Sequence, residues 1–443
     1  MMNHPSQTAP ARPVRVGARR ARRRPPQRRG VIFIITLALI VVLSALLLVY
    51  AQEMRTEASA SANELATARA DTVEQGAEQW VMAQCETFTT PLSGNTIAAN
   101  IGFGQTDLTT IPAAGLVVGD PAKGGGYFWL LSPNPTDDQN YSFGIVDESA
   151  KLNLSVATDD QIINLPNMTQ EAADCITDWC STGESPTGSD GAKSSYYEGL
   201  GAEAYDCKDT ALDTLDELLL VKGVTPALMW GVDLNRDGVI DATEAALPGG
   251  STLSTITING SSDRRGFANY VTCYTTRNPP GQVATAPAPT RPGVVPQKTV
   301  GLININTAPE AVLMCLPGLS QSDADSMIAE RTQQGITGAN TTTTWASTAL
   351  GQGKYTLIRP YVTGQSYQYS ADIVAVSGDG RAFKRVRIVV DCRTQPAKIV
   401  YRKDLTDLGW PLPADVRTSL RAGQGVPVDA QGNTSDATQT SLP

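Results

Sequence analysis

The stretch that decides the reading is Val31–Ala51, VIFIITLALIVVLSALLLVYA, which follows Arg28-Arg29-Gly30 without a break. It is 21 residues long and carries no charge, with hydroxyls only at Thr36, Ser44 and Tyr50. A helix needs about 20 apolar residues to cross a bilayer. The run is longer than the roughly 7–15-residue apolar region of a cleaved secretory signal. It is also apolar on every side, whereas a core helix of a soluble domain keeps a polar face. The arginines before it hold the N-terminus in the cytoplasm under the positive-inside rule, so the body is expected outside the cytoplasm.

Working outward, the chain has 443 residues and a formal net charge of −9, very unevenly spread. Residues 1–30 hold nine arginines (12, 15, 19, 20, 22, 23, 24, 28 and 29) and no acid. Beyond Gly30 there remain 26 basic and 44 acidic groups, a net −18. An acidic body argues against a nucleic-acid-binding protein. The single histidine, His4, argues against His-based triads, His-ligated metals and His acid–base catalysis. No GxSxG or HExxH occurs, so no enzymatic role is expected.

From Gln52 to Glu86 there is no proline and one glycine, Gly76, in a stretch rich in Ala, Glu, Gln and Arg. These are strong helix formers, so the apolar helix continues as a stalk. Leu65, Ala68, Val73, Ala77, Trp80, Val81 and Gln84 mark its apolar stripe, at mixed spacings of three, four and five. A helix over 31–86 would be roughly 80 Å long at 1.5 Å per residue.

Residues 87–125 read as loop. Tyr127–Leu131 and Tyr141–Val146 then flank the turn residues Pro133–Asp138 as a hairpin, and Lys151–Val156 is a third strand candidate. Downstream, Ser370–Val376 and Phe383–Val390 flank Gly378-Asp379-Gly380, with Lys384, Arg385 and Arg387 expected outward. Together these strands predict one antiparallel sheet packed on the stalk helix. The fold class is α+β: a long N-terminal transmembrane and stalk helix on an antiparallel sheet, interrupted by an α-helical inserted domain.

Thr169–Cys180, capped by Thr169, and Leu212–Gly223 are helix candidates of that insertion. Gly281–Lys298 is Pro-rich and reads as a linker. Gly144–Ser155 and Val300–Thr307 resemble each other, each alternating apolar residues with Asn ahead of a helical segment. After the second, Thr307 can cap a helix with Pro309 in its first turn, Leu316–Ser320 turns the chain, and another helix follows. This is a helix-hairpin-helix-like element. The runner-up function follows from it: a membrane-anchored DNA-binding protein of a competence or type IV pilus-like apparatus. Ser320 stands where the usual second hairpin glycine would, and Glu310, Asp323 and Asp325 surround the turn, where they would repel phosphate. Packing of an αα-hairpin is the simpler reading.

Asp233-Leu-Asn235-Arg-Asp237-Gly238-Val239-Ile240-Asp241-Ala-Thr-Glu244 fits the twelve-residue EF-hand loop. Asp233, Asn235 and Asp237 fill positions 1, 3 and 5, and Gly238 the sharp turn at 6. Val239 offers its carbonyl at 7, Asp241 sits at 9 and Glu244 at 12. Oxygen donors in this order suit Ca²⁺ and not Zn²⁺. The brief entering helix at 225–230 and Pro248-Gly249-Gly250 after the exiting one favour a single structural site.

Seven cysteines are present, Cys85, Cys175, Cys180, Cys207, Cys273, Cys315 and Cys392, with no CxxC. Outside the cytoplasm bridges can form, with Cys175–Cys180 and Cys180–Cys207 as candidates to staple the insertion. The odd count leaves at least one unpaired.

Arg29-Gly30 and the apolar run resemble the class III leader of type IV pilins and type II secretion pseudopilins. The resemblance implies a prepilin peptidase cut between Gly30 and Val31, with the apolar segment kept as the start of a long helix. Members of that family ordinarily carry Glu at the fifth mature position, which is Ile35 here. The departure fits the minor pseudopilins of the general secretion pathway protein K family. That family is also similar at Leu152-Asn-Leu154, Asp178-Trp179, Tyr196-Tyr197, Leu215–Val224 and Ile305–Leu319. It implies a pilin-like core interrupted by a helical domain, with calcium binding among relatives and no catalytic residue. It further implies inner-membrane lipids and the other minor pseudopilins of a tip complex as partners, a periplasmic body and a place at the pseudopilus tip. The expected divisions are a leader at 1–30, a membrane segment at 31–52, the stalk at 53–88 and the first part of the core at 89–158. The insertion with calcium loop and linker follows at 159–299, then the helix-hairpin-helix-like segment at 300–335. The returning core occupies 336–395 and a partly disordered tail 396–443.

Overall fold

The computed structural model describes residues 29–89, 115–134, 138–247, 256–258, 261–275, 301–336, 342–393 and 396–427. Residues 1–28 of the expected leader, the Pro-rich linker and the end of the tail lie outside them. The chain forms two compact units, one ending at Ala62 and one from Asn63 onward.

The described part of the first unit is helix. It opens α1, Arg29–Thr89, which has no proline to break it. From Val31 to Tyr50 its large apolar side chains are exposed on every side. In water that would be unfavourable by roughly 1.5–3 kcal/mol per side chain.

In the second unit, α1 turns amphipathic. Ala66, Ala70, Val73, Ala77, Val81 and Cys85 are buried, three or four residues apart. Leu65 and Ala68, expected on this stripe, are instead exposed. The small residues face inward, which lets the helix approach the sheet closely, and the long Leu65 points out.

The strands in chain order are β1 Leu116–Val118, β2 Gly126–Ser132, β3 Ser142–Phe143, β4 Val146–Asp147 and β5 Leu152–Asn153. β6 Ile256–Ile258, β7 Ser261–Asp263, β8 Val271–Thr272, β9 Ile303–Asn304 and β10 Val362–Thr363 lie in or beside the insertion. β11 Gln368–Ser377, β12 Phe383–Asp391 and β13 Lys398–Asp404 complete the set. The main sheet runs β1-β2-β11-β12-β13, all antiparallel, with β3 added to β2 and β4 to β11. The β11–β12 hairpin expected from sequence forms around Gly378–Gly380. The expected strand Tyr141–Val146 divides at Gly144, one half pairing with β2 and the other with β11. The third candidate, Lys151–Val156, shrinks to β5 and pairs in parallel with β8, outside the main sheet.

Pleat alternation assigns the two faces. Phe128, Leu130, Ile373, Ala371, Val386 and Ile388 share the core of α1, with Trp80 edge-on to Phe128 at 5.8 Å. On this face Arg402 of β13 reaches Glu74 (2.9 Å) and Glu78 (2.7 Å) of α1. Burial and the neighbouring Glu78 push the Glu74 carboxyl up to about 7 against the pull of Arg402. The opposite face carries Trp129, Leu131, Val374, Asp372, Arg385 and Arg387. Lys384 and Arg385 are adjacent, so they cannot share a face. Lys384 reaches Asp71 and Asp404 on the α1 side, and Arg385 is fully buried on the other, correcting the outward expectation.

The segment expected to be a tail contributes structure. β13 is the sheet's last strand, and a later helix (Ala414–Arg421) buries Val416 and Leu420 in the same core. Trp410 packs edge-on against Trp129 (6.3 Å) and Phe383 (5.3 Å). Residues 428–443 lie outside the described set.

The insertion shares one core with residues 303–362, beyond the expected boundary at 299, and is built on a duplicated unit. Its helices are α2 Asp159–Ile162, α3 Gln170–Cys180, α4 Ser194–Tyr197, α5 Pro226–Trp230, α6 Ala242–Ala245, α7 Glu310–Leu313, α8 Gln321–Gln333 and α9 Ala346–Ile358; Ala414–Arg421 is then α10. Residues 152–180 and 303–331 follow the same path. Each opens with a two-residue strand ending in Asn, whose carboxamide oxygen accepts from the amide two residues on (Ser155, 3.0 Å; Asn306, 3.1 Å). Each Asn carbonyl then accepts from an alanine amide at 2.9 Å, Ala157 in one copy and Ala308 in the other. A four-residue helix follows, then Leu165-Pro-Asn167 or Leu316-Pro-Gly318. Asn167 and Gly318 both take positive φ (56° and 71°) and turn the chain into the longer helix. The likeness read at Gly144–Ser155 and Val300–Thr307 therefore extends through two helices. The sequence hides it because Asn and Gly serve the same left-handed position. Thr169 caps α3 as expected, accepting from the Ala172 amide at 3.2 Å. Thr307 does not cap α7; its hydroxyl donates to Asp147 (2.7 Å). Leu215–Leu220 is a 3₁₀ turn and not an α-helix, because only Leu218 of the six is buried.

Candidate functional site

The predicted cation loop lies between α5 and α6. The chain leaves α5 at Gly231 (φ +64°), where a Cβ would meet the Arg264 carbonyl at 2.0 Å. Asp233 is buried and its carboxylate accepts from the amides of Asp237 (3.1 Å) and Gly238 (3.0 Å). Asn235 accepts from the Asp237 amide (2.9 Å) and donates to the Asp237 carboxylate (3.0 Å). Asp237 accepts from Val239 N–H (2.8 Å). Gly238 holds φ +85°, the sharp turn that the sixth position requires. Val239 and Ile240 are buried, and the Ile240 amide donates to the Asp138 carbonyl at 2.6 Å.

Two of the expected residues are occupied differently. Asp241 is exposed and caps α6, accepting from Thr243 (2.7 Å) and Glu244 (2.8 Å). Glu244 is buried, and its oxygens accept from the amides of Leu234 (2.9 Å), Asn235 (3.3 Å) and Asp241 (3.2 Å). Among the described residues no three His, Cys, Asp or Glu side chains group as a metal cage. The donors fit a hard cation in kind and order, since every one of them is oxygen. Their electrostatics fit too. Burial, then the Glu244 charge, pushes Asp233 up to about 7; burial, then the Asp233 charge, pushes Asp237 up to about 8.

Sequence reasoning missed the residues that hold this loop. Arg385 of β12 is fully buried and forked onto Asp372 of β11 (3.0 and 2.8 Å). The same guanidinium donates to the carbonyls of Asn235 and Arg236, both at 2.5 Å. Arg265, also buried, donates to the Gly238 carbonyl (2.9 Å) and to that of Asn134 (2.6 Å). Three carbonyls of the loop are thus gripped by two arginines, one from the sheet and one from the insertion. Arg236 takes φ +57° and lays its guanidinium over Trp230, 3.6 Å from the ring centroid. Behind the loop lies a cavity of about 90 Å³ bordered by Trp230, Arg236, Asp216, Arg387, Lys403 and Tyr401. Its charges are paired: Lys403 with Asp216 (2.5 Å) and Arg387 with Asp372 (2.8 Å). It suits a few waters at about 30 Å³ each.

The other predicted site residues lie on α1. Gly30 and Val31 are in its first turn, and Ile35 is exposed among equally exposed neighbours. At the helix-hairpin-helix-like turn, the Ser320 amide donates to Asp323 (2.9 Å), which is also paired with Lys354 (2.6 Å). A carboxylate therefore stands where a phosphate would approach.

Two family models match the chain, and each is described as protein K of the type II secretion system (T2SS). One covers residues 156–231, which take in the first copy of the duplicated unit from Val156 on, and the other 303–359, which take in the second. Comparison with curated proteins returned no match. Among solved structures, a chain of the GspK-GspI-GspJ complex from the enterotoxigenic Escherichia coli Type 2 Secretion System is similar at 11% identity and a TM-score of 0.41. That match covers 79% of this chain and 99% of the other.

Proposed function

The chain belongs to the protein K family of the type II secretion system, and from this we propose that it works as a minor pseudopilin, without catalysis of its own. Its leader is removed between Gly30 and Val31 by a prepilin peptidase. The apolar half of α1 anchors it in the inner membrane with the body in the periplasm, until it joins other minor pseudopilins at the pseudopilus tip and supports protein export. The observation that carries this reading is the junction itself: arginines up to Arg29, then Gly30, then an unbroken helix whose first turns are apolar on all sides. Ile35 supports the tip position. A carboxylate at this place would neutralise the amino group of a neighbouring subunit, and a subunit without it has no such neighbour to satisfy.

Mass spectrometry of the protein taken from membranes tests the reading. The expected N-terminus is Val31 with residues 1–30 absent. An intact leader would overturn it and leave a plain membrane anchor.

We also propose that the loop takes one Ca²⁺, held by Asp233, Asn235, Asp237, the Val239 carbonyl, Asp241 and Glu244. Calcium would supply the positive charge that the buried carboxylates lack. Extracellular-type sites of this kind bind at about 10⁻⁴–10⁻³ M. The full-length protein in detergent should melt several degrees higher in 10 mM CaCl₂ than in chelator, since a ligand at about 100 Kd adds roughly 2.7 kcal/mol. Asp233→Asn should abolish the difference. Equal melting of the parent in both conditions would remove calcium from the account.

A further inference from the structure

The seven cysteines divide between two cores. Cys85 and Cys392 belong to the core of α1 and the sheet, and the other five to the core of the insertion. All seven are buried. Within α3, Cys175 and Cys180 are five residues apart, a rise of about 7.5 Å along the axis. That is beyond the usual Cα separation of a bridge, so the pair suggested by sequence spacing does not fit an intact helix.

Cys85 and Cys392 meet from opposite ends of the chain. Cys85 continues the inner stripe of α1 after Val73, Ala77 and Val81. Cys392 follows directly on β12, and its amide donates to the Tyr367 carbonyl at 2.8 Å. Cys392 is a side-chain neighbour of the Cys85 thiol and Tyr369 of β11 lies beside both, all three buried in the core of α1 and the sheet. Next to Cys85, Glu86 accepts from the Ala397 amide at 2.6 Å, which ties the end of α1 to the chain soon after Cys392.

We propose that Cys85 and Cys392 are joined by a disulfide in the working protein, fastening α1 to the end of β12. The inference rests on the reading that the body lies outside the cytoplasm, where thiols are oxidised. The oxidant is a disulfide-bearing thiol oxidoreductase. One cysteine thiolate attacks the oxidant's disulfide, forming a mixed disulfide and releasing one of its sulfurs as thiolate. The second cysteine thiolate then attacks the mixed disulfide, forming the Cys85–Cys392 bond and releasing the other. The cysteines lose two protons and two electrons, and the oxidant leaves as a dithiol. Burial holds the Cys85 thiol well above its usual range, so the exchange precedes closure of the core. The bridge encloses every strand of the main sheet except β13, and the whole insertion. Any pull along α1 then reaches β12 through a covalent bond in addition to the packing of one helix stripe.

The test uses full-length protein in cells. Spheroplasts are treated with protease to locate the body, and parallel membranes are alkylated in denaturant and digested without reduction for mass spectrometry. The expected result is a protease-accessible body and a linked pair of peptides containing Cys85 and Cys392, which separates on reduction. A protease-accessible body with both cysteines alkylated overturns the bridge. A protected body with every thiol alkylated overturns the location and, with it, the bridge. In Cys85→Ser, Cys392 should become alkylated; its capture in a bridge to another cysteine would also overturn the assignment.

Discussion

Replacing Arg385 by methionine is expected to cost about 3–5 kcal/mol of stability, the range for removing one partner of a buried ion pair. The side chain has no exposed surface and serves three acceptors at once: the Asp372 carboxylate and the carbonyls of Asn235 and Arg236. Methionine keeps most of the volume, so the loss is not one of packing. Asp372 would keep Arg387 alone, which is partly exposed, and two loop carbonyls would face apolar surface with no donor. A buried unsatisfied polar group costs about 1–3 kcal/mol. Arg385→Lys should recover only part of the loss, since an ammonium cannot bind a carboxylate through two parallel bonds and reach two carbonyls as well. Thermal melts followed by tryptophan fluorescence would check this, because Trp230 lies under Arg236 in the same loop. Limited proteolysis should also show early cleavage near 233–247. A methionine variant that melts with the parent would show that the clamp is not needed to hold the loop.

Arg385 illustrates what sequence reading reaches here and where it stops. The loop itself was legible, because an EF-hand-like order of oxygen donors is a local pattern within twelve residues. Its clamp was not. Phe383-Lys-Arg-Val-Arg-Ile-Val-Val390 reads as a strand with a charged outer face, and nothing local says that Arg385 and Lys384 part company. The partner Asp372 lies on another strand, and Asn235 lies about 150 positions away along the chain. Only topology brings the three together. β13 was missed for a related reason. Its burial alternates between exposed and intermediate, so Lys398–Asp404 has no fully buried apolar face to announce a strand. The long helix was legible because its signal, length with uniform apolarity, needs no partner. Its buried stripe was only partly so, since half of the stripe is alanine, which carries little apolar signal.

Asp147→Ala is expected to be as damaging, by about 3–5 kcal/mol, and for a reason that concerns the architecture. Asp147 has no exposed surface. Its carboxylate accepts from the Ser149 amide (2.7 Å), the Asn304 carboxamide (2.8 Å), the Thr307 hydroxyl (2.7 Å) and the Ser366 hydroxyl. Those donors come from three places: the end of β4 where the chain leaves the sheet, the start of the second copy of the duplicated unit, and the approach to β11 where the chain returns. One side chain therefore satisfies the crossing point between sheet and insertion. Alanine leaves four donors with a cavity in place of an acceptor, and each unmet buried donor costs about 1–3 kcal/mol before relaxation. Asn is the sharper comparison. It has nearly the same shape but turns an NH₂ toward donors, so it should restore volume without restoring stability. Hydrogen exchange of the detergent-solubilised chain separates the outcomes. Loss confined to the junction would show faster exchange at 147–153 and 303–307 with the β2–β11–β12 core still protected. Uniform loss would show that sheet and insertion unfold as one unit. Exchange unchanged from the parent in Asp147→Ala would mean that the four donors find other acceptors and that this junction does not depend on the carboxylate.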